Sequence, residues 1–491
     1  MTTILAIDQG TTSTKAALVS LSGDTVASSF ARVSRTYPRP GWVEQDPIEL
    51  WESVGTAIAQ LPKSDVACIA VANQRESVIV WDRRSGRPLA PCISWQCTRG
   101  ADLCAELRAA GAEHVVREIT GLPLDPMFSA SKLRHLLDAD PDLRTAAESG
   151  SACAGTVDSW LLWNLTGGEV HAIEAGNASR TLLFDIHRLE WSEELLELFG
   201  VPSALLPPVL PSSGVAGETV PLAGLAALPI AAVAADSHAA LYGLACFGVG
   251  SAKATYGTGT SLMSATGSEL RRSQNGLATT VAWLRAAPTY ALEGNVFSSG
   301  ATIDWLAGVL GLATSAEIER LAATVPDAGG VHLVPAFSGL GAPHWRPEAR
   351  ARITGLTFAS GAAELARAAV ESIAFQVADL VESLEQDLER SLVELRVDGG
   401  ASRNDGLMQF QADLLGCPVI RTDTPDAAAL GVAFLGGLAV GLFADEAQLA
   451  DLERDWDRFE PQLAEARREE LLAGWRLAVA DVAGAQETVV S

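Results

Sequence analysis

Two stretches of this chain, about half its length apart, carry one pattern. Residues 4–20 read ILAIDQGTTSTKAALVS and residues 251–266 read SAKATYGTGTSLMSAT. In each, an apolar or β-branched run meets a tight Gly/Thr/Ser turn and a second such run follows, which is the pattern of a hairpin. Both turns are unusually rich in hydrogen-bond donors. Their recurrence predicts two copies of one architecture, residues 1–245 and 246–491, and a length of 491 residues accommodates two large units. No low-complexity linker separates the halves, so an extensive shared interface is expected.

Further strands are predicted at 66–72, 77–82, 228–235, 289–293, 331–336 and 393–398. Helices are predicted at 46–60, 101–110, 129–138, 158–165, 362–388, 404–415 and 427–441, the last opened by Pro425-Asp426. Strands alternating with helices make this an α/β protein with layered sheets. Residues 444–480, rich in Glu, Arg, Leu and Ala, read as a solvated helical tail.

Composition removes several function classes. Against 35 Lys and Arg stand 60 Asp and Glu, a net charge of −25, which repels nucleic acid and anionic lipid. It leaves room for a phosphate ligand held by backbone N–H groups and Mg²⁺. None of Lys15, Lys63, Lys132 and Lys253 follows a G-x-x-x-x-G run, so a P-loop is absent. The 7 cysteines are scattered without a C-x-x-C pair, which fits a reducing compartment. Asp8 interrupts the first apolar run too early for a signal peptide, and Pro229 and Asp236 break up the richest apolar stretch, 221–235. A cytoplasmic protein without membrane or nucleic-acid partners is expected.

Five segments offer chemistry. In Asp8-Gln9-Gly10-Thr11-Thr12-Ser13-Thr14-Lys15, Gly10 permits a sharp turn, the hydroxyls and N–H groups suit phosphate oxygens, Lys15 adds positive charge, and Asp8 suits Mg²⁺, directly or through water. An ordinary polar hairpin reads equally well. Tyr256-Gly257-Thr258-Gly259-Thr260-Ser261 alternates glycine and threonine, so its backbone N–H groups are accessible to a ligand; a flexible hairpin is the plainer reading. Val397-Asp398-Gly399-Gly400-Ala401-Ser402-Arg403-Asn404 links a strand to a helix and places Gly400 at the helix N-terminus, although Gly-Gly pairs often serve packing alone. Asp236 ends a buried strand, where α/β sheets place ligands, and suits a general base; helix N-capping is the competing reading, and His238 reads as packing. Arg75-Glu76 suits vicinal hydroxyls, one residue donating and one accepting, or else forms a surface ion pair.

Taken together the segments resemble the FGGY family of carbohydrate kinases, above all its glycerol kinase branch. The resemblance runs through IDQGTTSTKA (7–16), GWVEQDP (41–47), NQRESVIVWD (73–82), GTVDSWLLWNLTGG (155–168), NASRTLLFDIH (177–187), ATYGTGTSLM (254–263), PAFSGLGAPHW (335–345) and DGGASRNDGLMQFQADLLG (398–416). It implies two actin-like (ribonuclease H-like) domains with ATP in the interdomain cleft, and transfer of the γ-phosphoryl group of MgATP to a primary alcohol. Asp236 is then the general base and Asp8 binds the magnesium shell. Thr11, Thr12, Ser13 and Lys15 contact phosphates, and Thr258, Gly259, Gly300, Asp304, Gly400 and Asn404 line the nucleotide site. Arg75, Glu76, Trp95, Met127, Ser237 and Ser261 join Asp236 around the acceptor. A homodimer or higher homo-oligomer is expected.

The chain also departs from that branch, which usually carries Tyr at Met127, Gln at Ser237, Phe at Ser261, Asp at Cys97 and Gln at Asp304. The first three of these positions line the acceptor pocket. Two aromatics lost from one wall imply a wider pocket and a polyol or ketose longer than glycerol. A pentulose kinase of the xylulose kinase type, or a non-catalytic ATP- or sugar-binding protein on the same fold, are the alternatives.

Overall fold

The computed structural model describes residues 2–62, 64–422 and 426–484. The first donor-rich turn joins the antiparallel strands β1 (Thr2–Gln9) and β2 (Ser13–Ser20), and β3 (Thr25–Arg32) extends the hairpin. β4 (Asp65–Asn73), β5 (Ser213–Glu218) and β6 (Pro229–Ala235) complete a sheet of order β5-β6-β4-β1-β2-β3, in which β4 lies parallel to both β1 and β6. The second turn joins β7 (Ser251–Tyr256) to β8 (Thr260–Gly267). With β9 (Ala278–Leu284), β10 (Pro288–Val296), β11 (Glu394–Asp398), β12 (Val419–Thr422) and β13 (Trp456–Phe459) they form a sheet of order β9-β10-β8-β7-β11-β12-β13. The two sheets share a five-strand plan: β3-β2-β1-β4-β6 matches β10-β8-β7-β11-β12 in order and in direction. This is the doubled actin-like α/β topology.

The helices follow local signals. α1 (Pro47–Ala59) has Pro at its first position, and the Asp46 carboxylate accepts from Ile48 N at 2.8 Å. Beyond it, α2 (Asp236–Gly243), α3 (Gly300–Val309), α4 (Ser315–Ala322), α5 (Ala362–Leu388), α6 (Asp405–Leu415), α7 (Ala427–Ala439) and α8 (Glu465–Ala483) position or support the site. Asp426 caps α7 by accepting from Ala429 N at 3.0 Å, while Pro425 lies outside the described residues. No helix among the described residues is long and apolar enough to cross a membrane.

α7 lies late in the sequence, yet it packs on β1, β4, β6 and α2. Its contact with α2 is backbone to backbone. A Cβ on Gly431 would stand 1.7 Å from the Ala239 carbonyl oxygen, and one on Gly243 would stand 2.1 Å from that of Ala427. One apolar core therefore joins Ala6, Ala70 and Ala234 of the first sheet to Met263 and Ala291 of the second and Leu430 of α7. Polar contacts seal the same boundary: Ser212 N donates to Leu284 O at 2.7 Å, Thr279 N to Gly121 O at 2.9 Å, and the Tyr290 hydroxyl to Ile186 O at 2.8 Å.

The segment 444–480 is not a solvated helical tail. β13 pairs with β12, and Trp475, Ala478, Val479 and Val482 form a buried stripe along α8, with Trp475 stacked on Phe375 at 5.1 Å. Their spacing is that of one helix face; the abundant Glu and Arg of the segment occupy the outer faces and obscure it in the composition.

Gly431→Ala is expected to cost about 2–3 kcal/mol of stability, measured by urea unfolding, or to prevent folding, because its methyl group has nowhere to go. Gly248→Ala, with nothing within 4 Å of the new Cβ, is the control and should stay within about 0.5 kcal/mol.

Candidate active site

Both turns and the N-termini of α2 and α7 meet at one place. Asp8 faces Lys15 across the first hairpin, with Nζ 3.7 Å from Oδ2, and the same ammonium lies 2.9 Å from Asp426 Oδ2. Burial, and then Asp426, push the Asp8 carboxyl well above the usual range; Lys15 opposes this and Asp236 adds to it. For Lys15, burial pulls downward, but Asp426 and Asp8 outweigh it and raise the pKa. The turn is held from behind: Gln45 Nε2 donates to Thr11 O at 2.9 Å, Val33 N to Thr12 O at 2.9 Å, and Trp95 Nε1 to Thr11 Oγ1 at 2.9 Å. Gly10 N closes it on Ser13 O at 2.9 Å without a left-handed φ. Thr12 stays exposed and Thr11 and Ser13 partly so.

Next to Asp236 lies a buried charge network. Arg75 donates twice to Glu293, at 2.9 and 2.6 Å, in a bidentate pair. Arg180 lies 2.8 Å from Glu76 Oε1 and 2.8 Å from Glu293 Oε2. Arg75 Nε is 3.8 Å from Glu76 and 3.7 Å from Asp236 Oδ1. Arg75–Glu76 is thus no surface ion pair: both side chains are largely buried and each has its main partner elsewhere. Glu76 takes a left-handed φ of 61°, and the Ser129 hydroxyl, next to Phe128 and Met127, donates to its carbonyl at 3.0 Å. Lys132 fixes the Met127 loop by donating to the carbonyls of Pro126 at 2.7 Å, Phe128 at 3.1 Å and Met127.

Asp236 is the first residue of α2 and does not cap it; Ala235 occupies the cap position. Its carboxylate accepts from Ser237 N at 2.6 Å and keeps 38% of its side chain exposed. Burial raises its pKa, and Arg75 opposes the rise. His238 is buried with neither ring nitrogen partnered, and burial, then Arg75, pull its pKa well down. A neutral ring walled off from solvent is packing, as the sequence suggested.

On the other side, Thr258 O accepts from Ser299 N at 2.9 Å, and Gly300 N donates to Gly257 O at 3.0 Å. A Cβ on Gly300 would lie 2.8 Å from that same oxygen, and one on Gly259 would lie 2.3 Å from Val296 O. These glycines dock the start of α3 on the second turn. In the third segment the left-handed residue is Gly399, at φ 95°, where a Cβ would meet Tyr256 O at 2.5 Å; Gly400 faces open space. A short 3₁₀ turn, Gly400–Arg403, precedes α6, which Asn404 caps by accepting from Leu407 N at 3.0 Å. Beside it opens a groove of about 440 Å³ lined in part by Glu319, Arg320, Arg403 and Asn404. Asp304 stands apart from that lining, exposed, accepting from the Ser315 hydroxyl at 2.6 Å.

The residues fit a divalent cation bound largely through water. Asp8 Oδ1 and Asp398 Oδ1 are buried without hydrogen-bond partners. Among the described residues, the Asp8, Asp236, Asp398 and Asp426 carboxylates interact with the Lys15 and Lys253 ammonium groups and, at Asp236, with Arg75, whose bidentate partner is Glu293, so negative charge is in excess here. Among the described residues no three His, Cys, Asp or Glu side chains form a ready metal cage, and Mg²⁺ typically takes one or two carboxylates with water and phosphate.

Reading the residues alone missed Glu293, Arg180 and Lys253. Glu293 and Lys253 stand alone as charges within the apolar strand segments YALEGNV and SAKATY, and a charge at a buried strand position needs a partner. Arg180 carried no such signal. Burial would raise the Glu293 pKa, but Arg180 and Arg75 hold it far below the usual range. Its stabilisation is therefore complete above the unfolded value of about 4.3 and fades as the pH falls below it. Glu293→Gln should cost about 3–5 kcal/mol at pH 7, measured by chemical unfolding, because two guanidinium groups lose their shared partner.

Residues 3–243 match the N-terminal domain, and residues 252–440 the C-terminal domain, of the FGGY family of carbohydrate kinases. The chain is 50% identical over 486 residues to a glycerol kinase of Dechloromonas aromatica, covering 97% of this chain and 96% of that one. A glycerol kinase of Aromatoleum aromaticum is 49% identical over 487 residues, with 98% of each chain covered. Plasmodium falciparum glycerol kinase, crystallised with ADP, superposes with a TM-score of 0.93 at 33% identity over 98% of each chain. A ligand-bound xylulose kinase from Lactobacillus acidophilus shares the fold, with a TM-score of 0.88 at 22% identity over 99% of each chain. With both of its halves matched and a relative half identical over almost its whole length, the chain belongs to the FGGY family of carbohydrate kinases.

Proposed function

We propose that this protein is an ATP-dependent, glycerol kinase-like enzyme that phosphorylates a primary hydroxyl of a small polyol or ketose longer than glycerol. The observation that carries the reading is the position of Asp236, a partly exposed carboxylate 3.7 Å from Arg75 whose charge adds to the rise in the Asp8 pKa. Asp236 accepts the acceptor's hydroxyl proton; its raised pKa makes it a stronger base than an ordinary aspartate. Arg75 and Glu76, locked by Glu293 and Arg180, hold the neighbouring hydroxyls. Asp8 would hold the hydrated magnesium ion, with the unpartnered Asp398 carboxylate oxygen available as a second contact, and Lys15 with Thr11, Thr12 and Ser13 would hold phosphate oxygens. Thr258, Gly259, Gly300, Gly400 and Asn404 line the nucleotide side. MgATP supplies the phosphoryl group with its negative charge partly neutralised. Closure of the two halves excludes water, which would otherwise compete as acceptor.

Met127, Ser237 and Ser261 stand where this branch of the family usually carries bulkier groups, and they are the basis for a longer acceptor. The resemblance to glycerol kinases supports the chemistry of transfer more strongly than it supports glycerol itself.

Asp236→Asn should retain ATP binding by calorimetry and lose about 10²–10⁴ in kcat; near-normal turnover would remove Asp236 from the base role. In the unsubstituted enzyme kcat should fall with acid through a pKa above the usual aspartate value of about 3.9, since only the ionised form accepts a proton. An ADP-release screen over glycerol, tetritols, pentitols and pentuloses tests the acceptor, and a clear preference for glycerol would rule out the longer one.

A further inference from the structure

Among the described residues the two large sheets end in β5, β3, β9 and β13. Three of these edges are unsuited to further pairing. β9 lies against the first half, where the Thr280 hydroxyl and Val281 N meet the Ser179 hydroxyl at 2.8 and 3.3 Å. β13 carries Asp457 and Arg458, and β5 is interrupted by a register shift between Ser213 and Gly217. Charges and irregularities of this kind keep sheet edges from pairing with other chains. β3 differs. Its residues 25–31, TVASSFA, contain no charge and no proline, and Val26 and Phe30 are 53% and 59% exposed.

The backbone of this edge is open. Val33 N donates to Thr12 O at 2.9 Å, and Arg32 pairs with Ser13 in the ladder. Along an antiparallel strand the backbone groups alternate in direction. Ala27, Ser29 and Ala31 therefore bond to β2, while the N–H and C=O groups of Ser28 and Phe30 point outward. Gln60 Nε2 reaches the Phe30 carbonyl at 3.3 Å, which agrees with that direction and occupies one of its two lone pairs. A bulge leaves Val26 without a partner on β2. Ser29 Oγ donates to Ala57 O at 2.6 Å, so the odd-numbered side chains face α1, and Val26, Ser28, Phe30 and Arg32 project from the other, exposed side of the strand.

The two ends of the edge carry opposite charge. Asp24 precedes β3 and Arg32 closes it, both exposed, and within the described residues neither forms an ion pair. A chain of net charge −25 repels its own copy over most of its surface, so self-association needs a place where local charges match. A two-fold axis through Ser28 supplies one. It sets Ser28 opposite Ser28 of the second copy, Phe30 opposite Val26, and Arg32 opposite Asp24 at both ends. Even-numbered residues meet even-numbered ones, so the outward backbone groups of Ser28 and Phe30 face a strand rather than water.

We propose that β3 is a homodimer interface, at which a second copy of this chain adds its own β3 antiparallel across a two-fold axis at Ser28 and joins two six-stranded sheets into one. The contact is isologous and closes on itself. Phe30 pairs with Lys15 in the ladder, so the interface lies one strand from the phosphate turn. The inference goes beyond the kinase reading and holds whatever the acceptor is.

The test is sedimentation velocity of the full chain over about a hundredfold range of concentration, centred on the micromolar affinities of small interfaces. The unsubstituted protein should dimerise reversibly. Asp24→Arg and Arg32→Asp each place like charges at both ends of the paired strands, and each should weaken the dimer by about tenfold. An equal mixture of the two variants should recover the original affinity, because every mixed pair sets Arg opposite Asp at both ends. Ser28→Pro removes an outward N–H without taking a bond from β2 and should abolish the dimer. Both charged positions are exposed, so their variants should keep the parent's thermal unfolding midpoint as monomers. A monomer at every concentration, a dimer that the charge variants leave unchanged, or a mixture no tighter than either variant alone would overturn the proposal. None of these outcomes touches phosphoryl transfer, which the ADP-release screen reads separately.

Discussion

The crossing of α2 and α7 at Gly243 and Gly431 is the contact on which the rest of the structure depends. Two helices approach this closely only where neither carries a side chain. The approach seats α7 on the first sheet and joins the two halves at this crossing. It also brings two helix N-termini, those bearing Asp236 and Asp426, to the same end of the structure as both hairpin turns. Helix N-termini carry partial positive charge and free N–H groups, so they offset some of the repulsion among the four carboxylates and suit a site for phosphate.

The Arg75–Glu293–Arg180–Glu76 network performs a different task. Buried ion pairs seldom add much net stability over apolar packing, because desolvation offsets their attraction. Their value lies in direction: one arginine bidentate on Glu293 and a second bridging Glu76 and Glu293 permit few geometries. Glu293 belongs to the second sheet while Arg75, Glu76 and Arg180 belong to the first half. The network is therefore built across the boundary, and movement of one half against the other would disturb it.

Lys253 and Lys132 show the same economy with lysine. Each is buried, and each spends its donors on neighbouring backbone carbonyls or hydroxyls. Lys132 holds the loop of Met127 and Lys253 holds Ser237. In a chain with only four lysines, two serve as internal struts and a third, Lys15, bridges Asp8 and Asp426.

The sequence alone determined the duplicated hairpins, the donor-rich turns, the carboxylate ending an Ala-rich strand and most helix positions, because these depend on local periodicity and on residues a few positions apart. It misjudged α8, whose buried stripe was hidden beneath a charged composition. Tertiary structure alone decided that α7 packs on the first sheet, that Arg75 pairs with Glu293 rather than mainly with Glu76, and that Gly399, not Gly400, carries the left-handed backbone. Each of these turns on contacts between segments far apart in the chain, where burial and charge pairing choose among partners that local pattern cannot rank.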